Sequence, residues 1–297
     1  GELVAFFACT AHVVDVGGRG FGADGKSVYE EGIQIPIMKF AERGKVNLDL
    51  VKILRCNVRE PNQVVGDFYS LAACNEVGHR RLLDMMGEIG LTSLDGLGEF
   101  IFSRTRAAML ERIKALPKGS WSNELVTDGY DKPVKLAATV TVRDASVEVD
   151  FAGTDPMSRW GINCPIIYSK AYACYALKCV VAPDIPNNAA SLAFFTVSSP
   201  VNILNAVRPA PVALRHIFGH MVPDLVLGAI SQALPGKILA EGAGALWNIH
   251  ISARPVAGAS GRRAEVLMFN SGGMGARPGL DGLSATAFPS GVHTMPI

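Results

Sequence analysis

The chain has 297 residues, 49% of them hydrophobic, enough for a substantial core in two domains or in one large irregular one. Its 28 Lys and Arg against 27 Asp and Glu leave a net charge of +1, which provides no electrostatic footprint for nucleic acid or an anionic membrane. No stretch reaches the roughly 20 apolar residues that span a bilayer. Six cysteines without a CxxC pair, mostly inside apolar runs, read as reduced, buried thiols of a cytoplasmic protein.

The chain opens at Gly1, with neither a methionine nor a basic segment ahead of an apolar one, and reads as a piece of something longer; a trimmed start looks the same. Leu3 to Cys9 is an apolar run of strand length that gives way to His12-x-x-Asp15-x-Gly17-Gly18 and a loop ending in Glu30-Glu31-Gly32. An imidazole and a carboxylate at this spacing can meet on one side of a turn and offer a nitrogen and an oxygen to a divalent cation, with a third ligand still to be found. The same residues also read as a satisfied core histidine and a turn-forming aspartate.

Gly32 to Phe40 reads as extended, interrupted by Pro36, and Asn47 to Leu54 as a short helix capped by Asn47. The polar group Asn57, Arg59, Glu60, Pro61, Gly66 and Asp67 lies between apolar segments, as a loop or helix entry. Helices are predicted over Phe68 to Gly90 and from Ser93 or Leu94 to Leu116, the charges of the second (Arg104, Arg106, Glu111, Arg112, Lys114) forming a solvated face.

The period then becomes alternating. Val134 to Val142 and Ser146 to Phe151, separated by Arg143-Asp144-Ala145, read as a β-hairpin. Tyr168 to Val181 has helix length, Leu192 to Val197 reads as a strand, Ile203 to Asn205 as a short extended piece, Arg208 to Pro211 as a rigid turn, and Gly219 to Leu234 as a helix. A strand over Glu265 to Phe269 precedes Gly272-Gly273-Met274-Gly275-Ala276, which lacks the Lys-Ser/Thr of a Walker loop and reads as a tight turn. His216-x-x-x-His220 has ligand spacing but no HExxH glutamate. Long helices with separate antiparallel hairpins and no regular βαβ units give an α+β class, in two regions, 1–120 with the candidate site and 121–297 with the hairpin, helices and final glycine loop.

These motifs, in order, include His12-x-x-Asp15-x-Gly17-Gly18, Glu31-Gly32-Ile33-x-Ile35-Pro36, Asn57-x-Arg59-x-Pro61 with Gly66-Asp67, and Val149-Asp150-Phe151-x-Gly153-Thr154. Asn163-x-Pro165, Asp184-Ile185-Pro186-x-Asn188, Arg208-Pro209-Ala210-Pro211-Val212 with Arg215, and Gly272-Gly273-x-Gly275-Ala276 with Asp281-Gly282 follow. The set resembles the hydantoinase B/5-oxoprolinase family, whose relatives include a subunit of acetone and acetophenone carboxylases, from about Leu3 to Ser290. Ala190 and Ser199-Pro200-Val201-Asn202 depart from the family's pattern, and the family's subunit is longer at both ends.

The resemblance implies a subunit of a hetero-oligomeric, ATP-dependent cyclic-amide hydrolase. A hydantoinase A-type partner would use ATP to phosphorylate the substrate, and this subunit would complete the reaction. A ketone carboxylase subunit is the alternative enzyme, and a non-catalytic scaffold the alternative of another class. It also implies a divalent metal, such as manganese or zinc, at the matching positions His12 and Asp15. Asn57, Arg59 and Asp67 are the candidates for orienting substrate or phosphate, Arg59 as a bidentate anion clamp; an Arg59–Asp67 structural ion pair is the bland alternative. Neither nucleic acid nor membrane is expected as a partner.

Overall fold

The structure, a computed structural model, describes residues 3–244, 246–253, 264–284 and 286. Its contacts divide the chain into one unit of Gly1–Gly20 with Tyr29–Ile101 and a second of Phe21–Val28 with Phe102–Ile297. The class is α+β. No helix among the described residues is long and apolar enough to cross a membrane.

In the first unit a minimal hairpin, β1 (Ala41–Glu42) and β2 (Lys45–Val46), leads into α1 (Leu48–Asn57). Asn47 caps α1 as predicted: its side-chain oxygen accepts the Leu50 N–H at 3.1 Å. The helix buries Leu50, Val51 and Leu54 beneath Ile35, Phe40, Val46 and Phe68. Helix α2 (Pro61–Glu88) starts well before the predicted Phe68, because Pro61 in its first turn needs no backbone donor there. The polar cluster at 61–67 is thus the helix's own first turns. At the far end the Leu91 N–H returns to the Met86 carbonyl at 2.8 Å.

Leu3 to Cys9 forms no strand. Among the described residues this unit offers only a hairpin of two-residue strands to pair with, and the extended segment lies instead along α2. The Cys9 thiol donates to the Leu71 carbonyl at 3.4 Å, and the Phe7 ring covers Gly78, while Phe6, just before it, faces solvent.

Helix α3 (Asp95–Lys114) begins with the Ser93 hydroxyl accepting the Asp95 N–H. It buries Thr105, Met109 and Ile113, and its charged residues are exposed as predicted. The second unit is built on a four-stranded sheet in the order β3 (Gly119–Thr127), β4 (Val134–Val142), β5 (Val147–Asp150), β6 (Phe195–Ser198). The predicted hairpin is β4–β5, with Val142 opposite Val147. β5 and β6 pair in parallel, Val147 opposite Phe195, so the sheet is mixed and not purely antiparallel. Between them run α4 (Ile166–Val181) and the single turn α5 (Ala189–Leu192). After β6 come α6 (His216–Gly219) and α7 (Val222–Ser231), then the antiparallel pair β7 (Leu246–Ala253) and β8 (Ala264–Ser271). Leu136, Val140, Phe151, Leu177, Phe218, Leu225 and Ile230 share one core.

Three local readings are corrected. The strand predicted from Leu192 begins at Phe195, because Asn188 and Ser191 close a capping box that winds 189–192 into a turn of helix. Ile203 to Asn205 is a turn, its N–H groups at 204 and 205 donating to the Asn202 side chain. The helix predicted over Gly219 to Leu234 is α7 at Val222–Ser231, with Pro223 in its first turn, and a separate turn of helix, α6, ends at Gly219. The thiols are free, but Cys164 and Cys174 alone are buried; Cys9 is half-buried and Cys56, Cys74 and Cys179 are exposed. The segment near Gly272, expected to be a tight turn, is extended: Gly273 bridges Ser284, Ala243 N–H donates to the Gly273 carbonyl and Ala240 N–H to the Ala276 carbonyl, and the turn itself falls at Pro278-Gly279, between Arg277 and Leu280. Ser290 lies outside the described residues.

Candidate functional site

The residues singled out near the start of the chain all belong to the first unit. Asp15 is 9% exposed and spends both oxygens on N–H donors. Oδ1 accepts the Gly17 N–H at 2.9 Å and Arg59 Nη1 at 2.7 Å, and Oδ2 accepts the backbone N–H of Arg59. Arg59 Nη2 donates to the Gly18 carbonyl. Burial by itself would raise the Asp15 carboxyl. The N–H groups of Arg59 and Gly17, with the guanidinium, outweigh it and hold the pKa below the usual carboxylate value.

Glycine is required at two positions of this loop. Gly17 has φ +79°, and a Cβ there would stand 2.3 Å from the Asn57 carbonyl oxygen; Gly18 has φ +61°, and a Cβ would meet the Glu30 carbonyl at 2.5 Å. The bare backbone lets residues 16–19 cross 30–33 closely, with Ile33 N–H bonded to the Val16 carbonyl at 2.8 Å and Arg19 N–H to the Glu30 carbonyl at 2.9 Å. The loop, the end of α1 and the entry to α2 form one hydrogen-bonded junction.

Of the predicted site residues, the structure joins Asp15 to Arg59 directly and brings the Asn57 backbone against Gly17. The Asn57 amide donates back to Ile53 at 2.8 Å. Asp67 is half-buried on α2 and takes no part in the Arg59 ion pair, whose partner is Asp15. His12 is exposed. Among the described residues no three His, Cys, Asp or Glu side chains stand together in a way that could hold a metal ion. With Asp15 committed to Arg59 and Gly17, the described residues do not by themselves fit a divalent metal.

Most of the motifs in the second unit tie backbone to backbone. Asn163 is fully buried: its amide donates to the Ser158, Trp160 and Pro211 carbonyls, each at 2.9 Å, and its oxygen accepts the Ser158 N–H at 2.8 Å. The Thr154 hydroxyl brackets Ala137, accepting its N–H at 2.9 Å and donating to its carbonyl at 3.0 Å.

A second titratable group sits at the start of α7. His220 and Asp224 are 3% and 5% exposed, and His220 Nδ1 is buried with no hydrogen-bond partner among the described residues. Its ring lies 5.8 Å from His216 and meets Tyr172 edge-on at 5.2 Å, while His216 stacks on Phe21. Burial, with His216 beside it, lowers the His220 pKa to about 4, so this is a neutral core histidine. Burial and Glu241 push Asp224 up to about 6, against the Gly242 N–H that favours its charge. The sequence signal for Asp224 was a lone charge in the apolar run Met221 to Ile230.

A family model described as hydantoinase B/oxoprolinase matches residues 1–297. The B component of a putative D-/L-hydantoinase of Pseudomonas sp. (strain NS671) is 30% identical over 304 residues, covering 96% of this chain and 50% of that protein. The crystal structure of the ATP-dependent caprolactamase of Pseudomonas jessenii superposes with a TM-score of 0.80 at 21% identity, over 93% of this chain and 49% of that one. A nucleotide-free acetone carboxylase structure gives 0.77 at 15% identity, over 93% and 40%. The chain therefore spans about half the length of that hydantoinase relative.

Proposed function

Because the chain belongs to the hydantoinase B/oxoprolinase family, we propose that it is part of an ATP-dependent cyclic-amide hydrolase, acting on a ring amide whose oxygen a hydantoinase A-type partner subunit has phosphorylated. The observation that carries this reading is the shared ring-amide chemistry in the names of the family, of the hydantoinase component and of the superposing caprolactamase. An amide carbonyl resists water because nitrogen feeds electrons into it. A phosphoryl group on the oxygen removes that protection and supplies a leaving group.

The residues offered for this task are those at the junction. A guanidinium has five N–H donors; Arg59 uses one on Asp15 and one on the Gly18 carbonyl, leaving the others for phosphate or carboxylate oxygens. Asp15 acts as a positioning residue, fixing the plane of that fork. Asn57 and Asp67 flank Arg59 along the chain as the further groups for orienting the substrate.

The acetone carboxylase likeness supports a second reading, carboxylation of a ketone. The test assays the full chain with its ATP-binding partner for ring opening of hydantoin, 5-oxoproline and caprolactam, and for bicarbonate-dependent carboxylation of acetone and acetophenone. ADP release coupled to ring opening, lost in Arg59→Ala with assembly intact, is the expected result. Carboxylation alone would replace the first reading by the second. Full activity in Arg59→Ala, with catalysis mapped to the partner, would make this chain a scaffold.

A further inference from the structure

Two thiols of the first unit have no place in that chemistry. Cys9 Sγ donates to the Leu71 carbonyl at 3.4 Å. Cys74 is one turn further along α2, on the same face as Leu71, so its side chain neighbours the Cys9 sulfur that is bonded there. Phe7 repeats the contact a turn later: a Cβ on Gly78 would stand 2.6 Å from its ring. Side chains 7 and 9 therefore meet helix positions 78 and 71–74, which fixes the register of the extended segment on α2 at two points.

The two sulfurs differ in access. Cys74 is exposed and Cys9 half-buried, so an incoming reagent meets Cys74 first. Burial, together with the adjacent Cys74, raises the Cys9 pKa and keeps it a thiol near neutral pH.

We propose that Cys9 and Cys74 form a reversible disulfide that fastens the N-terminal segment to α2, made by exchange with a low-molecular-weight disulfide such as oxidised glutathione. The Cys74 thiolate attacks one sulfur of the reagent, whose S–S bond breaks, releasing one glutathione thiolate and leaving a mixed disulfide on Cys74. Cys9 gives its proton to water and attacks the Cys74 sulfur, and the second glutathione departs. Two cysteine thiols are oxidised and one disulfide is reduced to two thiols, so no other reactant is needed. The bridge anchors the segment that runs on into His12.

The test treats the full chain with oxidised glutathione, blocks remaining thiols by alkylation and maps peptides without reduction. The expected product joins the Cys9 and Cys74 peptides and is reversed by dithiothreitol, while Cys9→Ser leaves glutathione trapped on Cys74. Gly78→Leu, which displaces Phe7, should slow closure at least tenfold without changing the first modification of Cys74. A wild type carrying glutathione on Cys74 with Cys9 still alkylated, a bridge from either residue to another cysteine, or closure unaffected by Gly78→Leu would overturn the proposal.

Discussion

Asp15 and Arg59 stand 44 positions apart in the chain, yet Asp15 takes two of its three hydrogen bonds from Arg59, one from the backbone and one from the guanidinium. One residue thus supplies both a charge and a piece of main chain to the same carboxylate, so truncating Asp15 also releases the entry to α2. Asp15→Asn is expected to cost roughly 1–3 kcal/mol of stability, measured by urea unfolding. Because the folded carboxyl titrates below the unfolded value of about 3.9, its contribution is present at neutral pH and is lost as pH falls from about 4 downward. The Asn variant should lack that part of the acid limb.

The same pair bears on metal affinity. A cation approaching Asp15 competes with Arg59 for its oxygens. Titrating manganese or zinc into the full chain by calorimetry should show at least tenfold tighter binding in Arg59→Ala than in wild type, with the gain abolished by adding His12→Ala. Equal affinity in all three proteins would remove His12 and Asp15 as a ligand pair.

Arg59→Lys keeps the charge and discards the fork. Turnover with the partner subunit should fall about 10- to 100-fold in kcat/KM, a loss of about 1.4–2.7 kcal/mol of transition-state stabilisation. An unchanged value would mean that Arg59 serves the fold alone.

His220 and Asp224 oppose one another in pH. The Asp224 carboxyl, raised to about 6 when folded, loses stability for the fold as pH climbs from about 4 to 6. His220, lowered to about 4, loses it as pH drops from about 6.5 to 4. Each amounts to roughly 3 kcal/mol at full effect, and in wild type the two slopes largely cancel. Asp224→Asn should gain on wild type as pH rises through that window, and His220→Phe should gain as pH falls, both read as differences in unfolding free energy.

Asn163→Ala should be among the costlier changes outside the apolar core, about 2–4 kcal/mol, since it strands buried partners at Ser158, Trp160 and Pro211. A melting temperature within a degree of wild type would contradict that accounting.

What the sequence discloses here is what is decided locally. The Asn47 cap, the β4–β5 turn at Arg143-Asp144-Ala145 and the apolar length of α4 depend on neighbours a few residues away. The segment Leu3 to Cys9 has the composition of a strand, but whether it finds a sheet or a helix is settled by what else its unit contains. His12 and Asp15 are close in sequence, and spacing suggests a ligand pair; the rival for Asp15, Arg59, arrives from beyond α1. The parallel pairing of β5 and β6 is hidden for the same reason, with α4 and α5 between them. Asn163 stands in a motif that carries the family resemblance, and burial makes it a brace between loops.

The position of β6 also governs when the sheet can be completed. β3, β4 and β5 are joined by short turns and can pair as soon as they have been made. The fourth strand joins β5 only after all of α4 has been synthesised and folded back. During translation the outer edge of β5 is therefore bare until Ser198 has left the ribosome, and with it a row of unpaired amides that invites a neighbouring nascent chain. A ribosome that pauses within α4 prolongs that exposure.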